Sequence, residues 1–194
     1  MKNINSLCVY CGSSGNVDQV YLRAAEQVGI LLAESRIRMI FGGGGIGLMG
    51  AVANAALAGD GEVIGVMPKF LEDIEIAHKG ITDLIIVDSM HSRKLKMFDL
   101  SDAFLVLPGG YGTLDEMIEV ITWKQLHIHD KPILLINVAG YWDKFQTLIN
   151  LIIEKGFALP EDFELFTIVS NVDEILPTLA LAPEPKLHMA LCGN

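Results

Sequence analysis

Positive charge is scarce in this chain. Lysine and arginine number 14 against 24 aspartates and glutamates, leaving a formal net charge of −10. Such a surface repels nucleic acid and anionic membranes at long range, so neither is an expected partner, and any anionic ligand must be small and held locally. Cysteine is equally sparse. Three residues provide no disulfide framework and fit a reducing compartment, here taken as the cytoplasm. Cys8 and Cys11 spell C-x-x-C, but no second Cys/His pair at metal spacing follows. On an apolar run that reads as a strand, side chains three apart leave on opposite faces, against a redox or zinc role. No apolar run approaches the roughly 18 to 20 residues of a membrane span, and the opening MKNINSLCVYCGSSG turns polar too soon for a secretory core. Neither a linker nor an internal repeat divides the chain. Hydrophobic residues make up 51 % of it, enough for one self-sufficient domain over residues 1–182. The ending 183–194, PEPKLHMALCGN, has two prolines and no periodicity and is expected to be loosely held.

What is present is an alternation of short apolar runs with longer helical patterns. Runs at Leu7–Cys11, Ile37–Phe41, Val63–Val66, Leu84–Val87, Ala103–Leu107, Ile133–Ile136 and Phe166–Val169 are rich enough in β-branched and aromatic residues to be buried strands. Helical patterns fill about 17–34, 47–58, 90–100, 113–126, 141–155 and 172–181. This order predicts an α/β fold, a Rossmann-like open, mostly parallel twisted sheet with helices on both faces. Ligands of such sheets bind beyond the carboxyl ends of the strands. The loops CGSSG, GGGGIGLMG, MPK, DSMHSRK and PGGYGT each follow a strand, so they can converge on one cleft.

GGGGIGLMG, residues 42–50 and including Gly44, fits G-x-G-x-x-G in two registers between a strand and a helix. The acidic residue expected at the end of the next strand to hold a ribose is missing, for that strand ends in Val66-Met67-Pro68-Lys69. Three uses of the glycines stay open: a dinucleotide, close packing of helix on strand, or a phosphate contact without a full dinucleotide. No G-x-x-x-x-G-K-[ST] occurs, excluding an ATPase-type P-loop. In CGSSG, Ser14 either donates to a phosphate or ribose oxygen or caps the following helix.

PGGYGTLDE, residues 108–116, poses a paradox. A glycine turn at a helix start offers amides and a positive dipole end to an anion, yet Asp115 and Glu116 follow. One reading is structural: Thr113-x-x-Glu116 makes a capping box, and acidic residues favour a first helical turn. Against it, Gly109, Gly110 and Gly112 exceed what one cap needs, Glu116 and Glu119 share a face at i, i+3, and the basic group His91-Ser92-Arg93-Lys94 follows the neighbouring strand. A sugar phosphate resolves the paradox. It is an anion at one end and develops positive charge at its anomeric carbon when a glycosidic bond breaks. Amides can hold the phosphate while Glu116, one helical turn of about 5 Å further in, faces the reacting carbon, as carboxylates do in glycoside cleavage. Tyr111 and Trp123 are candidates to stack on a base. His127, His129 and Asp130 form H-x-H-D, but at a predicted helix end, where histidine suits the dipole; no metal is expected.

GGGGIGLMG, SMHSRK, PGGYGTLDE and VITWKQLHIHDKP together resemble the LONELY GUY family of cytokinin riboside 5′-monophosphate phosphoribohydrolases, long labelled "possible lysine decarboxylase". The resemblance runs in order from CVYCGSS to the helix near Lys155. It implies a Rossmann-like fold, a homodimer, no cofactor, and hydrolysis of a small-molecule nucleoside monophosphate to free base and ribose 5-phosphate. Arg93 and Glu116 fall on the family's catalytic pair. Lys94, the loop Gly109, Gly110, Tyr111, Gly112 and Thr113, Asp115 and Thr122 fall on its substrate contacts, as does Glu75 after MPK, where the loop length differs by one residue. The chain departs from many relatives in SMHSRK and LDE, which leaves the reactive positions intact and bears on base preference. The decarboxylase label has no support in the residues, since pyridoxal phosphate needs a Schiff-base lysine and none is singled out. The rival reading is a non-catalytic nucleotide sensor or carrier of a phosphorylated pterin (molybdenum) cofactor, the role of some relatives with this fold.

Overall fold

The apolar runs are short and β-branched, and those inside the sheet are buried on both sides, which suits parallel strands covered by helices on both faces. The computed structural model describes residues 4–72 and 77–182; the predicted tail and Glu75 lie outside the described residues. Seven strands, β1 (Ser6–Tyr10), β2 (Arg38–Phe41), β3 (Val63–Pro68), β4 (Asp83–Val87), β5 (Ala103–Val106), β6 (Ile133–Ile136) and β7 (Thr167–Val169), form one sheet in the order β4-β3-β2-β1-β5-β6-β7. Every strand pairing is parallel. The α-helices are α1 (Gln19–Glu34), α2 (Gly47–Ala58), α3 (Lys69–Glu72), α4 (Met90–Asp99), α5 (Tyr111–Gln125), α6 (Asp143–Glu154) and α7 (Ile175–Leu181). None among the described residues is long and apolar enough to cross a membrane.

Strand β1 pairs with both β2 and β5, so the chain winds outward to β4, returns, and winds outward again on the other side. With right-handed crossovers this reversal sends helices to opposite faces. Val28 and Leu32 of α1, Val52 of α2 and Leu179 of α7 share one core, and Met97 of α4 with Met117 and Val120 of α5 lie in the other. The alternation along β1 feeds both: Leu7, Val9 and Cys11 face the first, Cys8 and Tyr10 the second. Cys8 and Cys11 are thus separated by the sheet itself. Burial, with a smaller push from the Glu116 charge, raises both thiols far above the ordinary cysteine range, so neither supplies a thiolate.

Several boundaries differ from the sequence expectation. Ile37 and Phe166 fall outside their strands, and residue 141 belongs to a tight turn that precedes α6. The expected helix at 172–181 begins with a 3₁₀ turn, Val172–Glu174. The largest consequence is at α5, which starts at Tyr111 and not at 113.

The reversal point between β1 and β5 brings two loops together. The amide of Gly12 donates to the carbonyl of Pro108 at 3.0 Å, and a Cβ on Gly12 would come within 3.3 Å of the Gly109 Cα. On the first face, α1 and α2 meet at Gly29, where a Cβ would sit 2.4 Å from the Val52 carbonyl oxygen and 2.8 Å from the Ala56 nitrogen. Alanine ordinarily improves a helix interior by up to about 1 kcal/mol over glycine. Here Gly29→Ala is expected to reverse that sign and destabilise the fold by about 1–3 kcal/mol through overpacking against backbone; the shift of the urea unfolding midpoint measures it.

Candidate active site

At the β1–β5 reversal lies a cavity of about 420 Å³. Its walls come from the loop after β1 (Gly12, Ser13, Ser14), from α2 (Leu48, Met49), from α4 (Met90, Arg93), from the 108–113 loop and helix start, and from Tyr21 and Tyr141, with Glu116 on α5. Of the residues predicted for the site, Ser14, Arg93, Gly109, Gly110, Tyr111, Gly112, Thr113 and Glu116 are brought together here. Lys94, Asp115 and Glu119 form a cluster alongside. Gly44 does not line the cavity and is instead bridged to Ala77. Thr122 is exposed further along α5, and Trp123 packs edge-on against Phe98, ring centroids 5.0 Å apart, away from any base held in this cavity.

The early start of α5 removes the capping box. Gly110 is the N-cap and makes no side-chain cap bond; Thr113 already lies inside the first turn. The first intrahelical bond runs from the Leu114 amide to the Gly110 carbonyl at 3.0 Å, so the amides of Tyr111, Gly112 and Thr113 have no intrahelical acceptor. Gly109 permits this tight entry, for a Cβ there would lie 2.1 Å from the Thr113 hydroxyl oxygen. At Gly110 and Gly112 nothing lies within 4 Å of where a Cβ would be. Glycine at those two positions leaves the approach to the amides open. The result is a helix N-terminus equipped for an anion.

The other glycine-led helix start is closed. The amides of Leu48 and Met49, first-turn donors of α2, donate to the Gly12 carbonyl at 3.0 and 3.3 Å. A Cβ on Gly47, whose φ is +64°, would meet the Ser14 carbonyl oxygen at 2.5 Å, and one on Gly50 would meet the Gly45 carbonyl oxygen at 2.3 Å. The GGGGIGLMG glycines therefore let loops pack against one another, which is the packing reading and not the dinucleotide one. Ser14 is likewise no helix cap: α1 is capped at Asp18, four residues later, without a side-chain bond.

One turn beyond the open amides, Glu116 is buried against Arg93 of α4, Nη2 to Oε1 3.6 Å, with both side chains about 6 % exposed or less. Among the described residues, Glu116 is the single carboxylate that lines the cavity. Arg93 also donates from Nη2 to the Gly42 carbonyl at 3.4 Å, while its Nε is buried with no acceptor among the described residues. A buried donor in that condition costs about 1–3 kcal/mol. Next door, Lys94 reaches Asp115 and Glu119, both at 3.1 Å. Burial opposes the lysine's charge, but hydrogen bonds and charge from Glu119 and Asp115 outweigh it and hold the ammonium above its usual range. The carboxylates that share a helix face in the sequence thus serve different cations, and only Glu116 enters the cavity.

His129 takes no part. Its Nε2 lies 2.8 Å from the Val120 carbonyl and its Nδ1 accepts from the Lys131 amide at 3.0 Å, so both ring nitrogens are engaged. Burial, only partly offset by the Val120 bond, lowers its basicity. His127, at positive φ, forms the helix end.

Sequence reasoning missed Gly42, Tyr21, Met49, Met90 and Tyr141. Gly42 has a specific function: a Cβ there would fall 2.0 Å from Arg93 Nη2. The signal was the glycine run, but nothing in it told which glycine faces an arginine 51 residues on.

The match to the family described as "Possible lysine decarboxylase" spans residues 49–179. The chain is 42 % identical over 173 residues, 89 % of this chain and 76 % of the relative, to cytokinin riboside 5′-monophosphate phosphoribohydrolase LOG5 of Arabidopsis thaliana. It is 44 % identical, covering 89 % of this chain and 80 % of the relative, to LOG7, a protein of the same name and plant. Among solved structures, the molybdenum cofactor binding protein of Rippkaea orientalis superposes with a TM-score of 0.69 over 93 % of this chain and 98 % of that one, at 18 % identity, a likeness of fold.

Gly42→Ala tests whether the guanidinium's place matters. The obstructed group is the end of a side chain but a buried, paired one, so a loss of about 1–3 kcal/mol in stability is expected, whereas a displacement of about 1 Å can lower turnover about 10²-fold. Thermal unfolding read beside the assay described below separates the two effects.

Proposed function

The chain belongs to the family described as possible lysine decarboxylases, with cytokinin riboside 5′-monophosphate phosphoribohydrolases among its relatives, and from that premise we propose that it hydrolyses the N-glycosidic bond of a nucleoside 5′-monophosphate. AMP or a cytokinin riboside 5′-monophosphate would yield free base and ribose 5-phosphate. The observation that carries this reading is the placing of a buried carboxylate, Glu116, one helical turn from open helix-start amides in a single cavity.

The phosphate rests on the amides of Tyr111, Gly112 and Thr113, favoured by the α5 dipole. Arg93 pairs with the buried Glu116 carboxylate at the cavity wall. As the bond from C1 to the base nitrogen breaks, its electron pair and a proton go to the base, and positive charge grows at C1 opposite Glu116. A water oxygen ends on C1, its delivery assisted by the carboxylate as nucleophile or as base. The apolar wall of Val17, Leu48, Met49 and Met90 receives the base.

Among the described residues no lysine lines the cavity, and the nearby Lys94 is tied to two carboxylates, so the family's older description finds no Schiff-base residue among them. A cofactor carrier needs the cradle but no buried carboxylate beside it. The same reading takes the protein as a cytoplasmic homodimer, in keeping with the free thiols of Cys8 and Cys11 and with exposed Leu126 and Ile128 just past α5.

Incubation with AMP and with isopentenyladenosine monophosphate, followed by chromatography, should reveal free base; nucleotide bound but returned intact would replace hydrolysis with mere binding. Glu116→Asp keeps a charge for Arg93 but withdraws the carboxylate by one methylene. Turnover should fall about 10²-fold in a protein that still unfolds cooperatively, and wild-type turnover would refute the assignment.

A further inference from the structure

The Tyr141 hydroxyl donates to the carbonyl of Gly109 at 2.6 Å. We propose that this bond orients the Gly109–Gly110 peptide and makes Tyr141 a positioning residue for phosphate recognition, an inference that rests on the reading of the cavity given above. The peptide lies between two glycines, so side chains do nothing to restrict its plane, and a rotation that exchanges carbonyl and amide directions meets little steric resistance. The Gly109–Gly110 peptide is trans, so the Gly109 carbonyl and the Gly110 amide point in opposite directions. A donor that captures the carbonyl on one side fixes the amide on the other. That amide belongs to the N-cap of α5 and is continuous with the open donors of the first turn. Hydrogen bonding at the carbonyl also polarises the peptide unit and strengthens its N–H as a donor.

Tyr141, though 40 % exposed, stands in a turn tied on both sides. It follows Gly140, at φ +72°, in a turn where the Asn137 side chain accepts from the Trp142 amide at 2.7 Å and donates to Asp143 at 2.7 Å. Its ring stands edge-on to Tyr21 at 5.8 Å and to Trp142 at 4.9 Å. The hydroxyl is therefore carried by β6 and α6 but acts on the loop after β5. Tyr141 also lines the cavity, so its influence falls where the ligand sits and touches no reacting atom.

Tyr141→Phe removes one oxygen and keeps the ring packing. Titration calorimetry should show ribose 5-phosphate binding weakened about three- to tenfold, the range for one lost hydrogen bond, with adenosine binding within about twofold of wild type and an unchanged melting temperature. The Gly110 amide resonance should move in the ¹⁵N spectrum of the free variant. Unchanged ribose 5-phosphate binding overturns the proposal, as does equal weakening of both ligands, which would make Tyr141 a general wall. Tyr141→Leu, lacking the ring as well, should weaken adenosine too; if it weakens only the sugar phosphate, the packing and hydroxyl effects are not separable as stated and the proposal fails. A wild-type protein that neither binds ribose 5-phosphate nor releases base overturns the hydrolase reading itself, a failure visible before any variant is made.

Discussion

The buried pair of Arg93 and Glu116 is the constraint around which the cleft is organised. Removing two charges from water costs several kcal/mol per ion, and their attraction compensates only when position is enforced. Enforcement comes from three directions. Helices α4 and α5 pack on the same face of the sheet and present the two charges to each other. The missing side chain at Gly42 gives the guanidinium its place and a carbonyl to bind. Lys94 with Asp115 and Glu119 forms a second rung between the same helices, nearer to solvent. A partly exposed rung of that kind contributes little energy by itself.

Two helix starts in this chain follow glycine-rich loops after strands, and only one is open. The difference lies in a single carbonyl, that of Gly12, which accepts the first-turn amides of α2. The same residue donates its amide to Pro108 and so fastens the β1 loop beside the β5 loop. One glycine thereby closes one anion site and sets the edge of the other. Strand order does the rest, since β1 is the strand flanked by both β2 and β5, and open sheets bind ligands at such reversals.

The strands were legible because buried parallel strands are continuous apolar runs, and the cleft was legible because its loops must follow those strands. Glu116 and the basic group 91–94 stood out as a carboxylate and cations in post-strand segments of an acidic chain, and the family resemblance picked Arg93 from that group. The capping box at Thr113 was misread because a capping motif fits any threonine three before a glutamate, while the tight contact of Gly109 with Thr113, a matter of three-dimensional packing, starts the helix at Tyr111. The open uses of GGGGIGLMG could not be resolved in the sequence, since they hinge on a hydrogen bond to a residue over thirty positions away. Tyr141 was invisible for the same reason: it reaches a loop 32 residues earlier from a turn that looked like the first residue of a helix.

Recognition and hydrolysis both depend on amides and carboxylate gripping opposite ends of one sugar phosphate. A crystal structure with ribose 5-phosphate bound tests this most directly. The phosphate should lie on the amides of Tyr111, Gly112 and Thr113, with C1 turned toward the Glu116 carboxylate. Density for the sugar phosphate in the separate groove that runs along α1 to Ser170 and Asp173, or C1 facing away from Glu116 within the cavity, would contradict it.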